Sequence, residues 1–196
     1  MITANFSKRF AAVKQRIKRL PQISEKALDS ASKKDAVGFI ETFQRGIRND
    51  DFGLIRLTLN TIQQKESKGY SDPAIPLYGA GDEEKNSLIN VFRIRKIKSG
   101  YRAFKSKAKH HESDLTLADI LDIMEAGAVI KRGETLIVIP PRPVVTKAFR
   151  RYLGSKQKRE NVQAVRDAIQ VYINTGNIQK VKQFSRGLKR SEFDET

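Results

Sequence analysis

The sequence predicts an α+β protein: a small antiparallel or mixed β-sheet that contains a basic hairpin, long N-terminal helices packed across it, and a C-terminal helical extension. The first fifty residues place apolar side chains at near-helical spacing, residues 92–105 alternate apolar and basic side chains, and a β-like run ends in prolines at 140–143. A chain of 196 residues fits one domain with an appended element. We therefore divide it into a domain at residues 1–154 and a helical extension with a frayed tail at 155–196.

Two amphipathic helices are predicted before residue 50. Pro21 should separate them, because proline removes a helical hydrogen bond and clashes with the preceding turn. Gly46 and the pair Asn49-Asp50 should mark the end of the second helix. A shorter apolar pattern from Leu54 to Ile62 could be a helix or a strand, and the good helix formers that follow it favour a third helix. The glycine- and proline-rich stretch at 69–81 should be an irregular loop.

A β-hairpin is predicted after this loop. "FRIRKIK" has the period-two alternation of a half-exposed strand, Ser99-Gly100 forms the turn, and "YRAFKSKAKHH" returns as the partner strand. The hairpin should have a strongly basic outer face. Its candidate residues for contact with DNA or with an acidic partner are Arg93, Arg95, Lys96, Lys98, Arg102, Lys105, Lys107 and Lys109.

The segment "DLTLADILDIMEAG" predicts a helix that is capped by Asp114 or Thr116 and ends at Gly127. Its acidic residues are expected to lie on a solvated side. "ETLIVIPP" should be a short buried strand that the prolines end, and "VVTKAFRRYLG" a helix that Pro143 can open because its φ is already helical. The expected core consists of Phe39, Ile40, Phe43, Phe92, Ile94, Leu121, Met124, Ile137 and Ile139.

The net charge of +16 is concentrated in blocks. Three stretches, at residues 1–24, 85–111 and 135–159, contain six, nine and seven Lys or Arg and no acidic residue. Blocks of one sign attract polyanions, and nucleic acid is the usual cellular polyanion. The distribution therefore favours a polyanionic or acidic partner.

The sequence offers little for catalysis. It contains no cysteine, which excludes disulfides, thiol catalysis and cysteine-based metal sites. His110 and His111 are neighbours on an expected strand, so they should point to opposite faces. No catalytic triad, phosphate loop or carboxylate pair stands out. We predict no enzymatic activity, no metal and no cofactor, and neither a membrane span nor a secretory signal.

The stretch "IPPRP" followed by a basic helix resembles a signature of the neck and tail-completion proteins of tailed bacteriophages. That family also has an E-x-G at the end of an aliphatic helix, and Glu125-Ala126-Gly127 stands at the corresponding place. Pro76-Leu77, Gly81 and Ser87-Leu88 occur in the family's order before the hairpin. The residues that match the family's motif are Glu125, Gly127, Pro140, Pro141, Arg142 and Pro143.

The resemblance covers roughly residues 6–153, and Ala80 and Val144 depart from the family pattern. It implies a virion structural protein, a viral neck, tail completion or tail terminator subunit for head-tail joining. Such subunits form a homo-oligomer ring of six copies, or of twelve, through which genomic DNA passes without sequence specificity. Adjacent neck, connector or tail-tube proteins would be its partners, and assembly would take place in the host cytoplasm.

Residues 155–196 have no counterpart in the family pattern. Their recurring apolar positions make them candidates for contacts with other subunits, namely Val162, Val165, Ile169, Tyr172, Ile178, Val181 and Phe184. Deletion of 155–196 is expected to leave a folded domain and impair assembly. The alternative function is a non-enzymatic, basic nucleic-acid-binding protein, which should present base-reading and stacking side chains.

Overall fold

The computed structural model describes residues 2–177 except 55, 71, 75–86, 99 and 111–113. Its elements are α1 (Ile2–Arg48), α2 (Leu59–Ser67), a 3-10 turn (Leu88–Asn90), β1 (Phe92–Ile97), β2 (Gly100–Lys105), α3 (Leu117–Ala126), β3 (Ala128–Arg132), β4 (Thr135–Ile139), α4 (Val144–Leu153) and α5 (Lys156–Thr175). The α+β class is confirmed, with helices dominating. Most of the proline-rich loop lies outside the described residues.

Helix α1 is continuous for 47 residues, so the prediction of two helices separated at Pro21 is wrong. Proline deprives the carbonyl of Ile17 of its helical donor, but Ile17 is 64% exposed and water can hydrate that oxygen. Beyond the proline, Ile23 and Ala27 are buried against α5. This tertiary packing holds the helix together where local propensity alone would end it.

The end of α1 agrees with the prediction. The helix stops at Arg48, and Asp50 adopts a left-handed φ of 52°. The chain then reverses and places the ring of Phe52 over Gly46, where an added Cβ would lie 2.0 Å from the ring. Helix α2 begins only at Leu59, with Thr58 as its N-cap, while Leu54 enters the core instead of a helix.

Strands β1 and β2 form the predicted antiparallel hairpin. In its register Phe92 pairs with Lys105, Ile94 with Ala103 and Arg95 with Arg102. The face that contains Phe92 and Ile94 packs against the C-terminal half of α1, and both side chains are buried. We call this the inner face of the hairpin, and the face with Arg93, Arg95, Ile97, Arg102 and Phe104 its outer face.

Strand β4 does not join this hairpin. It pairs with β3, a strand that the sequence analysis missed, in a separate antiparallel sheet. Nor is β4 the buried strand that was expected, because Leu136 and Val138 are 64% and 67% exposed. Gly133 at a φ of 63° forms the turn between the two strands. The sequence "AVIKRGETLIVI" is therefore a second hairpin with an exposed apolar face.

The three C-terminal helices begin with different caps. Thr116 and Asp119 form a complete capping box at α3, and Ser155 caps α5 by accepting from the N–H of Lys158. Helix α4 starts after Pro143, whose side chain cannot accept a hydrogen bond. Its cap comes from elsewhere in the chain, as described below.

The main core lies between the C-terminal half of α1, the inner face of the hairpin, α3 and α4. The predicted core residues Ile40, Phe43, Phe92, Ile94, Leu121 and Met124 are buried there, which confirms them. Phe39 is partly buried against this core, with its ring centroid 5.0 Å from that of Phe92. Ile139 is half-buried on the second hairpin, and the side chain of Ile137 lies outside the described set.

Candidate functional site

The motif residues come from two separate segments, Glu125 and Gly127 at the end of α3 and Pro141 to Pro143 before α4. They meet at the start of α4, and we call this contact the junction. The carboxylate of Glu125, near the end of α3, accepts a hydrogen bond from the backbone N–H of Val145. Its second oxygen lies 3.3 Å from the hydroxyl of Thr146. The first N–H groups of a helix lack partners within the helix and lie at its positive end. Glu125 therefore caps α4 from a distance.

Gly127 allows the chain at Ile139 and Pro141 to approach the end of α3 closely. Its φ of 75° and ψ of 169° fall in a backbone region that is essentially restricted to glycine. An added Cβ would lie 2.8 Å from the carbonyl oxygen of Ile139 and 2.9 Å from the ring of Pro141. Glycine is required at this position both by the backbone angle and by the space.

The proline segment is attached to α3 by its backbone. The N–H of Arg142 donates to the carbonyl of Met124 at 2.6 Å, and the carbonyl of Arg142 accepts from Val144 at 2.7 Å. Pro143 has a φ of −74° but a ψ of 62°, so it is the N-cap residue and does not lie in the first turn as expected. Pro140 is exposed. The junction fixes the direction of α4 relative to α3.

Two of the three acidic residues of α3, Asp119 and Asp122, are exposed as expected, and Glu125 is half-buried. Asp119 completes the capping box, Asp122 pairs with Lys105 of β2, and Glu125 caps α4. The expectation of a solvated side is therefore confirmed for Asp119 and Asp122, and each of the three carboxylates also has a structural partner. The helical pattern could not reveal this, because two of the three partners lie on other elements.

The basic residues of the hairpin are divided between its two faces, which corrects the prediction of one basic outer face. Lys96 and Lys105 lie on the inner face according to the strand register. Lys96 pairs with Asp29 of α1 at 3.5 Å, and Lys105 pairs with Asp122 of α3. Lys96 therefore connects the turn end of the hairpin to α1, and Lys105 connects its open end to α3.

Three arginines remain on the outer face. Arg95 and Arg102 are direct cross-strand neighbours, and both are exposed. The guanidinium of Arg95 lies over the ring of Phe104, 4.7 Å from its centroid. Arg93 is half-buried and donates to the carbonyl of Asn90 at 3.2 Å. A concavity of about 510 Å³ lies beside these residues and is lined by Arg93, Arg95, Phe104, Lys105, Ser106, Lys107 and Ala108.

The other hairpin candidates lie outside the strands. Lys98 is exposed in the turn, and Lys107 is exposed after β2. Lys109 forms an isolated β-bridge with Thr116 and a long ion pair of 3.6 Å with Asp114. Lys107 therefore adds to the outer concavity, whereas Lys109 lies near the start of α3.

The candidate subunit contacts in α5 are also divided. Tyr172 is buried against Ile23 and Ala27 of α1, and Val165 packs against the same cluster. Those two side chains contribute to packing within the chain and are not an exposed contact surface. Val162 is 40% exposed and Ile169 half-buried, so they remain available. Ile178, Val181 and Phe184 lie outside the described residues.

Asp35 is a hub that the sequence analysis missed. Its carboxylate accepts from the hydroxyl of Tyr152 at 2.6 Å, from the side-chain amide of Asn161 at 2.8 Å and from the ammonium of Lys158. Burial, together with the hydrogen bond and charge of Asp35, raises the pKa of Tyr152 well above its usual range. The network joins α1, α4 and α5. An acid next to lysines in a long helix gave no signal of this role.

An open groove of about 480 Å³ lies beside this network, between α1, β2 and α4. Most of its lining is apolar and includes Phe39, Val145, Phe149 and Leu153, and Arg102 and Lys158 are among its charged lining residues. Phe149 and Leu153 are 51% and 48% exposed. The groove therefore offers a largely apolar surface.

Within the part of the chain that the structure describes, no three His, Asp or Glu side chains lie close enough to hold a metal ion. His110 is half-buried, and His111 lies outside the described residues. Among the described helices, none is long and apolar enough to cross a membrane.

Comparisons with protein-family models, with curated proteins and with solved structures find no match to this chain.

Proposed function

We propose that the protein is a structural component of a tailed-phage virion, a neck or tail-completion (tail terminator) subunit at the head-tail junction. In this proposal six copies, or twelve, close into a ring through which the genome passes. Its partners are other copies of itself and the adjacent neck, connector or tail-tube proteins. The chain acts by shape and charge, and performs no catalysis.

The observation that supports this proposal is the junction of Glu125 and Gly127 with Pro141 to Pro143. The resemblance to the phage family is based on these residues, which are distant in sequence but in contact in the fold. A subunit in a closed ring needs a fixed angle between its elements, because angular errors add up around the ring. A rigid junction between α3 and α4 provides such an angle.

Exposed apolar surface is consistent with assembly. Val129, Leu136 and Val138 lie on one face of the β3–β4 hairpin and are each about two-thirds exposed. An isolated two-stranded hairpin is only marginally stable in water. Contact with a neighbouring subunit would bury this face and stabilise the hairpin.

The second candidate is a basic nucleic-acid-binding protein that does not belong to a virion. The outer-face arginines favour it, because Arg95 and Arg102 are adjacent and exposed. The two candidates differ in assembly: the first requires a ring, whereas the second predicts a monomer or dimer with sequence-selective binding.

Native mass spectrometry and electron microscopy of the purified protein, alone and with purified tail tubes, test the proposal. We expect rings of one copy number, formed by the protein alone or on the tail tube. The double variant Val129→Lys/Val138→Lys should stay folded and fail to form rings, while Val13→Lys/Leu59→Lys serves as a control of equal charge at other exposed apolar positions. A protein that forms no ring in either condition and binds one DNA sequence selectively would contradict the proposal. So would neighbouring genes that are unrelated to portal, capsid or tail tube.

A further inference from the structure

We propose that residues 178–188, which follow α5 outside the described part of the chain, pack along the exposed N-terminal half of α1 and cover Val13 and Ile17. The contact extends the packing of α5 on α1 towards the start of α1. It lies within one chain, so it does not depend on the proposed ring and can be tested on a single subunit.

The apolar side of α1 that packs on α5 continues beyond the end of α5. Leu20, Ile23 and Ala27 form the part that α5 covers. Val13 lies seven residues, or nearly two helical turns, before Leu20, and therefore on the same side of the helix. Val13 and Ile17 are 49% and 64% exposed. We call these five residues the α1 stripe, and α5 covers only its later part.

The end of α5 is fixed beside the uncovered part of the α1 stripe. Helix α5 runs antiparallel to α1, because Asn161 donates to Asp35 and the hydroxyl of Tyr172 donates to the carbonyl of Arg16. The guanidinium of Arg16 donates to two carbonyls in the last turn of α5, at 3.4 and 3.3 Å. Gly176 ends α5 at a φ of 66°, and an added Cβ there would lie 2.6 Å from Arg16. The chain therefore leaves α5 within one helical turn of the exposed stripe residues.

The segment that follows has the apolar spacing that the α1 stripe requires. Four apolar residues recur there every three or four positions, which is typical of one helical face: Ile178, Val181, Phe184 and Leu188. Because Gly176 lies beside Arg16, an antiparallel course places Val181 near Val13. The later apolar positions then lie along the preceding turns of α1.

A segment of the same chain fits the exposed stripe better than a second copy does. The chain has 19 residues beyond Asn177, and the first of them start beside the stripe. A short tether of this kind gives a segment an effective concentration in the millimolar range, which a separate subunit has to reach from solution. The sequence analysis expected these apolar positions to contact other subunits. The position of the end of α5 favours contact within the chain instead.

Charge opposes this packing and gives it a signature. Residues 11–20 contain four Lys or Arg and residues 178–188 contain three, and neither range contains an acidic residue. Like charges on neighbouring helical positions repel, and salt screens exposed charges. The packing should therefore become tighter as the salt concentration rises, whereas a contact that depends on ion pairs would weaken.

Hydrogen exchange of the full-length protein, measured by mass spectrometry, tests the inference. In Val181→Ser/Phe184→Ser, the amides of residues 11–20 should exchange about tenfold faster than in the unmodified protein, because two apolar contacts are lost. The control is Gln179→Ser/Gln183→Ser, which changes positions outside the apolar spacing and should leave the exchange unchanged. In the unmodified protein, exchange at residues 11–20 should slow as sodium chloride is raised from about 0.05 M to about 0.5 M.

An introduced cysteine pair measures proximity independently, because the chain contains no cysteine of its own. A disulfide needs Cα atoms no more than about 7 Å apart. Val13→Cys/Val181→Cys should form a disulfide within one chain in a glutathione buffer, visible as a faster-migrating monomer on a non-reducing gel. Gln15→Cys/Val181→Cys is the matched control, because Gln15 is exposed about 200° around α1 from Val13. It should cross-link much less.

Three results would overturn the inference. Equal exchange at residues 11–20 in the unmodified protein and in Val181→Ser/Phe184→Ser would show that this segment does not cover the α1 stripe. A disulfide between two chains would show that a second copy occupies the stripe. Equal cross-linking of the two cysteine pairs would show that the segment has no fixed position. None of these results bears on the ring, which native mass spectrometry measures separately.

Discussion

The carboxylate of Glu125 accepts a hydrogen bond from the backbone N–H of Val145, twenty residues further along the chain. Helix α4 follows a proline that cannot cap it, so its cap comes from the end of α3. This relationship explains physically why an acid at 125 and a proline segment at 140–143 belong together. Without Glu125, the N–H of Val145 would lose this acceptor at the start of α4.

Replacing Glu125 by Ala should therefore lower the free energy of unfolding by about 1–2 kcal/mol, the usual cost of losing a helix cap with a favourable charge. Glu125→Gln keeps an acceptor and should cost less. Urea denaturation measures both. Asp122→Ala is the control, because its exposed pair with Lys105 should contribute less than about 1 kcal/mol. Equal losses at 122 and 125 would show that the cap has no special role.

Replacing Gly127 by Ala tests the close approach of the two segments. Backbone strain alone should cost about 1–3 kcal/mol, and the overlap of Cβ with the Ile139 carbonyl and Pro141 should add to it. Gly133→Ala is a matched control, because Gly133 also has a positive φ but no atom within 4 Å of an added Cβ. Thermal denaturation should show the larger loss for Gly127. Similar losses at the two glycines would mean that the contact with Pro141 can relax.

The sequence predicts the elements that depend on local pattern. The alternation around Phe92 and Ile94 and the capping signal at Thr116 indicate the first hairpin and α3 correctly. The prediction of a helix end at Pro21 was wrong because α5, more than a hundred residues away, packs on the helix beyond the proline. Strand β3 was missed because "AVIKRG" is short, and its partner β4 has the apolar composition of a buried strand.

The site was predictable in part. The motif around Glu125, Gly127 and the prolines could be found from the sequence. Their contact could not, because a sequence does not show how close two distant segments lie in the fold. Alternation does place Lys96 on the opposite face from Arg95. The presence of Asp29 beside it depends on how α1 crosses the hairpin. The hub at Asp35 likewise depends on tertiary packing.

Phe43 is the central side chain of the main core. It is fully buried, and its ring lies edge-on to Phe92 with 5.0 Å between the centroids. Phe43→Ala should lower the free energy of unfolding by roughly 3–5 kcal/mol. Phe149→Ala removes the same atoms from a ring that is half-exposed and should cost about 1 kcal/mol. Chemical denaturation compares the two variants. Equal costs would contradict the described packing.

The Tyr152 hydroxyl should make stability depend on pH in the alkaline range. Its pKa is raised in the folded protein by burial and by Asp35, so the folded state holds this proton more tightly than the unfolded chain does. The stabilisation is complete below the unfolded pKa of about 10 and falls above it by up to about 1.4 kcal/mol per pH unit. Urea denaturation between pH 8 and pH 11 measures this loss.

Tyr152→Phe is the matched variant, because it keeps the ring and removes the proton. At pH 8 it should be less stable than the unmodified protein by about 1 kcal/mol, the usual net value of a hydrogen bond. The difference should shrink as the pH rises above about 10, while all other titrating groups are common to both proteins. A difference that stays constant would show that Asp35 does not hold the hydroxyl proton.

Helix α5 should stabilise the N-terminal half of α1 without supporting the main core. Tyr172 and Ala168 are buried against Ile23 and Ala27, in a cluster separate from the one around Phe43. Tyr172→Ala should therefore cost about 3 kcal/mol locally and accelerate amide hydrogen exchange around residues 20–31 while leaving residues 40–47 protected. Ile173→Ala, at a neighbouring position that is 47% exposed, should change neither region.

Deletion of residues 155–196 should have the same local effect in stronger form, with the core around Phe43 still folded. If exchange rose equally along the whole of α1 in these variants, the two clusters would unfold as one unit, and residues 155–196 would be part of the folded domain and not an extension of it.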